Sequence, residues 1–286
     1  MSSPTLSIII PTHNRPQLLP LAVQSALNQT FDDFEVIVVD DASTDFAPLP
    51  NDRRLRVIHL ATSRGGAGAR NVGTEAARGR WVTYLDDDDR LLPHMVATSL
   101  DALNQATLPP PVGVISGIEV IDANGQRLDQ RIPPAARPRG CHFALEDLEP
   151  GKSYNTKQTL VVEREVIRGI GGWDEAFRSR VHSELFLRLN LVCSIIGIPV
   201  VTYQLYKHGG NQVSKDPFLR QRSFEQLIQK HRAAFEAHPK MFAKFVCDHA
   251  WMSYQQGQTK AALVNWWRAM KLSPGYTLSR FANSLQ

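Results

Sequence analysis

The chain has 286 residues, 43% hydrophobic and 21% charged, so it can bury a substantial core and has the composition of an ordinary globular protein. Its formal charge of +4 is uneven: residues from Lys207 onward hold twelve Lys or Arg against four Asp or Glu, a balance of +8, which leaves −4 for residues 1–206. No RNA- or DNA-binding signature accompanies this basic part, so nucleic acid is the least favoured partner, while membrane-surface contact stays open.

Cysteine use and hydropathy predict the compartment. The three cysteines lie far apart and form no C-x-x-C pair, which argues against a disulfide framework and a zinc site. The apolar run from Leu6 stops at Pro11, and the longest apolar stretch, Leu191 to Val201, is too short and interrupted to span a bilayer. We expect a cytoplasmic protein that is either soluble or peripheral at the cytoplasmic face of a membrane.

Short β-branched runs alternate with helix-period segments in the first half of the chain. The predicted strands are Leu6 to Ile10, Glu35 to Val39, Leu55 to Leu60 and Trp81 to Leu85, and the predicted helices are Pro16 to Gln29 and Gly68 to Ala77. This alternation indicates βα units in a largely parallel sheet, whose functional residues gather beyond the carboxyl ends of the strands. Polar segments follow three of the strands, at Pro11 to Arg15, Asp40 to Asp45 and Asp86 to Asp89. We expect these segments to converge on one edge of the sheet.

A glycine-rich segment, Arg64 to Asn71, lies near the same predicted edge. It lacks the G-x-G-x-x-G and G-x-x-x-x-G-K-[ST] spacings, so neither a dinucleotide-binding turn nor a P-loop is favoured. Its glycines would still allow close approach of the backbone to a ligand.

The composition changes from about Ala106. The predicted elements are a strand at Val112 to Ile118, a Pro/Arg-rich loop at Ile132 to Gly140, a strand at Thr159 to Val162, a turn at Gly171 to Glu175, a helix at Ser183 to Val192 and a strand at Val200 to Tyr206. The Pro/Arg-rich loop is either a flexible lid or a surface connection.

Residues from Phe218 onward are predicted to be helical throughout. The offsets between Tyr254, Gly257, Ala262, Ala269 and Pro274 are close to those of one tetratricopeptide-like helix hairpin. A single repeat cannot form a solenoid, so we expect a cap or a small docking module. Trp266 and Trp267 are expected in the core and at the rim of that hairpin rather than as a membrane anchor.

Four consecutive aspartates, Asp86 to Asp89, follow the fourth predicted strand directly. Adjacent carboxylates repel one another, so a compensating cation is expected, and a metal that holds a phosphate is the natural candidate. The alternative is a solvated acidic loop or a cluster at a helix N-terminus. An EF-hand does not fit, because Leu91 and Ala97 occupy the positions that need Gly and Glu.

Four motifs occur in a characteristic order over about the first hundred residues. They are Ser7 to Arg15, Val38 to Asp45, Ala69 to Gly73 and Tyr84 to Asp89, with Gly171 to Glu175 and Leu185 to Leu189 extending the pattern to about residue 206. In this arrangement the chain resembles the family 2 glycosyltransferases. The resemblance implies a GT-A fold, an α/β fold with a mostly parallel central sheet. Residues 1–105 would form the nucleotide-binding half and 106–206 the acceptor half, followed by a basic helical extension at 207–286.

The resemblance also implies an activity: inverting transfer of a sugar from a nucleotide diphosphate sugar to a glycan, a lipid-linked sugar or another glycosyl acceptor. The residues implied in nucleotide-sugar binding are Pro11, Thr12, Arg15, Asp41, Arg70, Asp86 and Asp87. Asp86 and Asp88 would form the D-x-D pair that holds Mg²⁺ or Mn²⁺, and this cation would stabilise the charge that develops on the departing diphosphate. Trp173 and Asp174 are candidates for contact with the acceptor, although Trp173 could equally be a packing residue.

The chain departs from the family at the catalytic base. Alignment on Leu187 to Leu189 places His182 where the family usually has Asp. Three interpretations stay open: His182 is the base, Glu184 is the base, or the protein binds a nucleotide without efficient transfer. The last would make it a donor-binding scaffold whose helical tail docks a partner. A nucleotidyltransferase is a further alternative, although the Lys/Arg-rich loop of pyrophosphorylases is absent near the first strand.

Overall fold

The computed structural model describes residues 3–207 and 216–284, and of residues 281–284 the backbone only. The strands are β1 (Leu6–Thr12), β2 (Phe34–Asp40), β3 (Leu55–His59), β4 (Trp81–Tyr84), β5 (Arg90–Leu91), β6 (Val112–Ile121), β7 (Arg127–Arg131), β8 (Ala136–Arg137), β9 (Val161–Glu163) and β10 (Ser194–Tyr206). The helices are α1 (Leu19–Leu27), α2 (Gly65–Ala76), α3 (Met95–Asn104), α4 (Arg164–Gly169), α5 (Val181–Val192), α6 (Pro217–Lys230), α7 (Arg232–Ala237), α8 (Pro239–Gln255), α9 (Thr259–Leu272) and α10 (Pro274–Ser284).

One sheet with the strand order β3-β2-β1-β4-β9-β6-β10-β5 organises the α/β part. β3, β2, β1 and β4 are all parallel, as the βα alternation predicts. β9 joins this half to the second half through antiparallel pairing with β4 and β6, and β6 and β10 are again parallel. The carboxyl ends of β1, β2 and β4 therefore lie next to one another at one edge.

The sheet is buried because β1 and β2 are apolar on both faces. All seven residues of each strand are buried, and α1 packs its Leu19, Val23 and Ala26 against them. On α2, a Cβ added at Gly73 would come within 2.4 Å of Ile9 Cγ2. Only glycine fits where α2 crosses β1 this closely, which gives the last residue of the Ala69 to Gly73 motif a packing role.

The second half shows how tertiary pairing overrides local sequence signals. The strand predicted at Val200 to Tyr206 begins six residues earlier, at Ser194, and its register against β6 shifts between Gly197 and Val201. Pro199 lies within this bulge, where its lack of an N–H donor leaves no gap in the strand pairing. The loop predicted at Ile132 to Gly140 contains β8, which pairs with β10, so it is a sheet-bound connection.

Smaller differences concern element ends. The chain after Pro16 forms a turn, so α1 begins at Leu19. The strand predicted at Thr159 to Val162 is shorter, because Lys157–Thr159 forms a single 3-10 turn before β9. The helix predicted at Ser183 to Val192 is present as α5 with two additional residues.

The residues divide into two compact units: Met1–Cys141 with Leu148–Gly210, and His142–Asp147 with Asn211–Gln286. The second unit is helical, as predicted for the region after Phe218, and α8 and α9 form a hairpin that turns at Gly257, whose φ is +75°. Among the helices of residues 3–207 and 216–284, none has the length and hydropathy needed to traverse a bilayer.

Candidate active site

The polar segments after β1 and β2 are joined by backbone and side-chain hydrogen bonds. The N–H of Asp41 donates to the carbonyl of Thr12 over 2.8 Å. The N–H of Asn14 donates to Ser43 Oγ over 2.8 Å, and the N–H of Thr44 donates to Asn14 Oδ1 over 2.8 Å. Asn14 has a φ of 51°, a left-handed conformation that asparagine tolerates better than most residues. The predicted convergence of these loops is confirmed.

Asp41 connects this edge to the glycine-rich segment. Its carboxylate accepts hydrogen bonds from Ser63 Oγ at 2.6 Å and from the backbone N–H groups of Arg64 at 2.7 Å and Gly65 at 2.8 Å. These donors lie at the start of α2, where a carboxylate satisfies N–H groups that have no helical partner. Asp41 is buried, with 3% exposure, and its hydrogen bonds hold the start of α2 in place. Its predicted contact with a nucleotide base would be a second role of the same residue.

Asp87 and Asp88 share Arg15. Arg15 Nη1 lies 2.5 Å from Asp88 Oδ2 and 3.5 Å from Asp87 Oδ1, and Thr12 Oγ1 donates to Asp87 Oδ2 over 2.7 Å. Thr12, Arg15 and Asp87, which were predicted to belong to one nucleotide site, are therefore in direct contact. Pro11, directly before Thr12, is also a buried residue of β1.

Asp86 and Asp89 have different partners. The guanidinium of Arg70 forms a short ion pair with Asp86. Asp89 accepts hydrogen bonds from the Tyr203 hydroxyl at 2.7 Å and from the backbone N–H of Tyr206 at 2.9 Å. The four carboxylates are thus held by Arg15, Arg70 and Thr12 and by the end of β10.

The protonation of the aspartates follows from burial and these partners. Burial raises the pKa of Asp87 to about 6, and the neighbouring Asp86 and Asp88 charges add to the rise against the opposing effect of Arg15. Burial, together with the charges of Asp86 and Asp88, raises the pKa of Asp89 well above its usual value. Burial also acts to raise the pKa of Asp86, but the charge and hydrogen bond of Arg70 together with the charges of His182 and Arg15 hold this pKa below the usual value. Without a further cation, the carboxyl groups of Asp87 and Asp89 therefore tend to keep their protons.

Asp86, Asp88 and Asp89 form a group that could hold a metal ion. One carboxylate oxygen of each lies within 4.8 Å of the others. A turn brings the first and fourth aspartates together, since the N–H of Asp89 donates to the carbonyl of Asp86 over 3.0 Å. The predicted pair, Asp86 and Asp88, is accordingly joined by Asp89, whereas Asp87 turns away toward Thr12.

Trp173 lies at the centre of a second cluster. It is 2% exposed, and its ring makes edge contacts with Tyr84 at a centroid distance of 4.9 Å and with His182 at 5.1 Å. The Arg70 guanidinium lies over the same ring at 5.1 Å. This enclosure supports the packing role among the two roles that the sequence left open. Trp173 thereby links His182 to the arginine that holds Asp86.

His182 is neutral in these surroundings. Burial lowers its pKa to about 3, Arg70 and Lys157 acting in the same direction and Asp86 in the opposite one. An uncharged imidazole has a free nitrogen lone pair and can act as a proton acceptor, although burial weakens its basicity.

Glu184 is engaged in a different contact. It is 1% exposed, and its two oxygens accept from Arg188 Nη2 at 2.5 Å and Arg188 Nε at 2.7 Å. Arg188 also donates to the carbonyls of Ile170 and Gly172. Glu184 therefore helps α5 hold the glycine turn.

The Gly171 to Glu175 turn is attached to α2. The Asn71 amide accepts from the N–H of Trp173 at 2.8 Å and donates to the Trp173 carbonyl at 2.9 Å. Glu175 pairs with Arg64, Nη2 to Oε1 being 2.5 Å, and accepts from Asn71 at 3.0 Å. Asp174 accepts from the N–H of Ala176 at 2.9 Å, so its carboxylate stabilises the turn in which it was predicted to meet an acceptor.

Comparison with known proteins decides the family. Residues 7–166, more than half of the chain, match the family described as glycosyl transferase family 2. The chain belongs to this family. An uncharacterized glycosyltransferase of Haemophilus influenzae is 27% identical over 234 residues, which cover 79% of the chain and 76% of the relative.

A second glycosyltransferase relative has a named substrate. The GalNAc(5)-diNAcBac-PP-undecaprenol beta-1,3-glucosyltransferase of Campylobacter jejuni is 38% identical over 109 residues, which cover 36% of the chain and 35% of that relative. The similarity is thus limited to about a third of its length.

Among solved structures, residues 1–349 of S. aureus TarS in complex with UDP-GlcNAc match with a TM-score of 0.66 and 18% identity. The match covers 97% of the chain and 83% of the TarS structure. It supports the GT-A fold predicted from the four motifs.

Two residues at the candidate site were given no individual role by the sequence. Asp89 was not singled out as a metal ligand, because the direction of its side chain depends on the turn at Asp86 to Asp89 and on contacts with β10. Lys157 is 8% exposed, its ammonium donates to the Tyr154 carbonyl, and burial lowers its pKa to about 7, with Arg180 and Arg131 contributing. It lies in no recognisable motif and enters the site only through the 3-10 turn before β9.

Proposed function

We propose that the protein is a metal-dependent, inverting glycosyltransferase that uses a nucleotide diphosphate sugar. The observation that carries the proposal is the convergence of Asp86, Asp88 and Asp89 at the carboxyl edge of the sheet, with oxygens within 4.8 Å of one another. The division into a nucleotide-binding half, an acceptor half and a helical extension remains part of the proposal.

The donor set suits a hard divalent cation. Carboxylate oxygens are the ligands of Mg²⁺ and Mn²⁺, and two ligands of one ion at about 2.1 Å lie at most about 4.2 Å apart, so small side-chain rotations would suffice. When bound, the ion would offset the negative charge that develops on the departing diphosphate. Arg15 and Arg70, which pair with Asp88 and Asp86, would bind donor oxygens as well.

His182 is the base that this geometry favours. Both Glu184 oxygens are occupied by Arg188, whereas His182 faces the Trp173 and Asp86 side of the site and is neutral. A donor diphosphate would add negative charge near the imidazole and so raise its pKa toward neutrality. The imidazole would accept the proton of the acceptor hydroxyl as that oxygen attacks the anomeric carbon.

The acceptor class follows from the relatives and is proposed on that ground. A lipid-linked sugar or a growing polysaccharide is the favoured acceptor, because the Campylobacter relative is named for an undecaprenyl-linked glycan. Such an acceptor would place the reaction at a membrane surface. Uridine diphosphate sugars are the first donors to test, since TarS binds UDP-GlcNAc.

The test is a donor panel in which product release is measured. Uridine, guanosine and thymidine diphosphate sugars would be incubated with the protein, with Mn²⁺, with Mg²⁺ or with a chelator, and with a lipid-linked saccharide. Release of nucleoside diphosphate that requires both metal and acceptor is expected. Release of pyrophosphate from a parallel mixture of nucleoside triphosphate and sugar 1-phosphate would instead indicate a nucleotidyltransferase, and metal-independent sugar transfer would contradict the assigned role of the aspartates.

A donor-binding scaffold is the second candidate. It is favoured by His182 at the position of the usual Asp and by the burial that lowers its pKa to about 3. This alternative predicts metal-dependent stabilisation by nucleotide without turnover on any acceptor. A thermal-shift measurement beside the transfer assay separates the two functions.

A further inference from the structure

Helix α9 buries small residues and exposes large apolar ones. Its buried positions are Ala262, Asn265 and Ala269. Its exposed positions include Leu263 at 58%, Val264 at 60% and Trp267 at 64%. A helix that packs in a soluble protein normally buries its largest apolar residues. The reversed pattern on α9 indicates that its outer side is an interaction surface.

This outer side continues onto α8. The Tyr254 and Trp266 rings lie 5.7 Å apart, and the Trp251 and Tyr254 rings 6.0 Å apart. Trp251 and Tyr254 are themselves exposed. The surface formed by Trp251, Tyr254, Leu263, Val264, Trp266 and Trp267 is here called the apolar helical face.

Basic residues accompany the face. Lys260 and Lys271 lie on the same side of α9 as Val264 and Trp267 by helical periodicity, and Lys271 Nζ lies 5.4 Å from the centre of the Trp267 ring. Residues 239–284 contain six Lys or Arg and one acidic residue, Asp248. Asp248 is itself paired with Lys244 and Arg280. The surroundings of the face are therefore positively charged.

We propose that the apolar helical face docks on an anionic lipid surface. Tryptophan and tyrosine rings suit the boundary between headgroups and acyl chains, and flanking lysines are attracted to anionic headgroups. A second copy of the chain would bring like charges together, which disfavours self-association through this face. The inference uses only the helical unit and does not depend on sugar transfer.

The experiment measures cosedimentation of the full chain with vesicles. At low salt the protein is expected to bind vesicles containing phosphatidylglycerol, to bind pure phosphatidylcholine at least about tenfold more weakly, and to lose binding as salt rises. The double variant Leu263→Glu/Trp267→Glu should bind anionic vesicles at least about tenfold more weakly than wild type. The Leu263→Ser/Trp267→Ser variant tests the apolar contribution without added charge and should also weaken binding.

A matched control adds the same charge elsewhere. Leu21→Glu/Leu128→Glu alters two exposed apolar residues of the other unit, 47% and 55% exposed, and should bind vesicles as wild type does. Unchanged binding in both face variants, or equal losses in face and control variants, would overturn the proposal. So would the absence of any anionic-vesicle binding by the wild type. A dimer in sedimentation velocity that dissociates in the Leu263→Ser/Trp267→Ser variant would overturn it in favour of a second copy.

Discussion

His182 and Glu184 are two positions apart on α5 but have different surroundings. His182 contacts Trp173 and is influenced by Asp86, whereas Glu184 is bound at both oxygens by Arg188. Two positions correspond to a rotation of about 200° on a helix, so the side chains point to different faces. The difference lets mutagenesis separate chemistry from packing.

His182→Ala is expected to lower kcat by about 10² to 10⁴, the usual contribution of a general base, with donor binding retained. Glu184→Gln should instead lower the free energy of unfolding by about 1–3 kcal/mol through the weakened Arg188 contact, with kcat preserved below the melting temperature. Steady-state transfer assays, donor thermal shifts and urea titrations supply the three readouts. If His182→Ala transferred sugar at the wild-type rate, the base assignment would be wrong.

Asp89 and Asp87 form a second matched pair. Asp89 belongs to the oxygen group with Asp86 and Asp88, while Asp87 is directed toward Thr12. Asp89→Asn should weaken Mn²⁺-dependent stabilisation by nucleoside diphosphate, and a tenfold weaker Kd removes about 1.4 kcal/mol at saturating ligand. Asp87→Asn should retain the full Mn²⁺-dependent stabilisation by nucleoside diphosphate. The reverse pattern in a thermal-shift titration would exchange their roles.

At the scale of elements, the glycine turn before α5 is under two separate constraints. Gly171 and Gly172 have φ values of +82° and +71°. A Cβ added at Gly172 would lie 2.5 Å from Asn71 Oδ1, whereas one added at Gly171 would meet nothing within 4 Å. Only Gly172 is therefore constrained by both conformation and contact.

Gly171→Ala should cost about 1–2 kcal/mol of unfolding free energy from left-handed strain alone. Gly172→Ala should cost about 1–3 kcal/mol more, because the Asn71 bridge to Trp173 must also shift. Urea denaturation at unchanged m-value measures both. In a double-mutant cycle, Asn71→Ala should remove most of the difference, and equal costs for the two alanines would contradict the contact argument.

The strands that position the site could be predicted from sequence because they are continuous apolar runs. β1, β2 and β4 match their predicted ranges to within two residues at each end. β7 and β8 were missed because they are short and polar and exist through pairing with β6 and β10. Local propensity contains no information about such pairing.

Prediction of the candidate site from sequence has the same limit. Motif order brought Thr12, Arg15 and the aspartates together, since parallel strands end at one edge. It could not predict that Arg15 bridges Asp87 and Asp88 or that Tyr203 binds Asp89, since those contacts depend on side-chain direction and on a strand more than 100 residues away in sequence. The burial that lowers the pKa of His182 is likewise a property of the folded chain.

At the scale of the whole molecule, the candidate site and the basic helices belong to different compact units. The residues proposed to bind donor, metal and acceptor all lie in Met1–Cys141 or Leu148–Gly210. The helical unit has its own buried residues, among them Phe224, Phe235 and Ala262. Stability and ligand binding should therefore respond separately to changes in the helices.

Ala262→Leu tests this separation. Ala262 is fully buried on the inner side of α9, so the larger side chain should cost the helical unit about 1–3 kcal/mol through overpacking. The adjacent Leu263 is 58% exposed, and Leu263→Ala is the control, with an expected change within about 0.5 kcal/mol. Hydrogen exchange should show faster exchange in α8 and α9 for Ala262→Leu, while stabilisation by nucleoside diphosphate and Mn²⁺ stays at the wild-type value. Loss of that stabilisation with unchanged exchange in the helices would show that Ala262 acts on the site, because the substitution would then have altered binding without loosening its own surroundings.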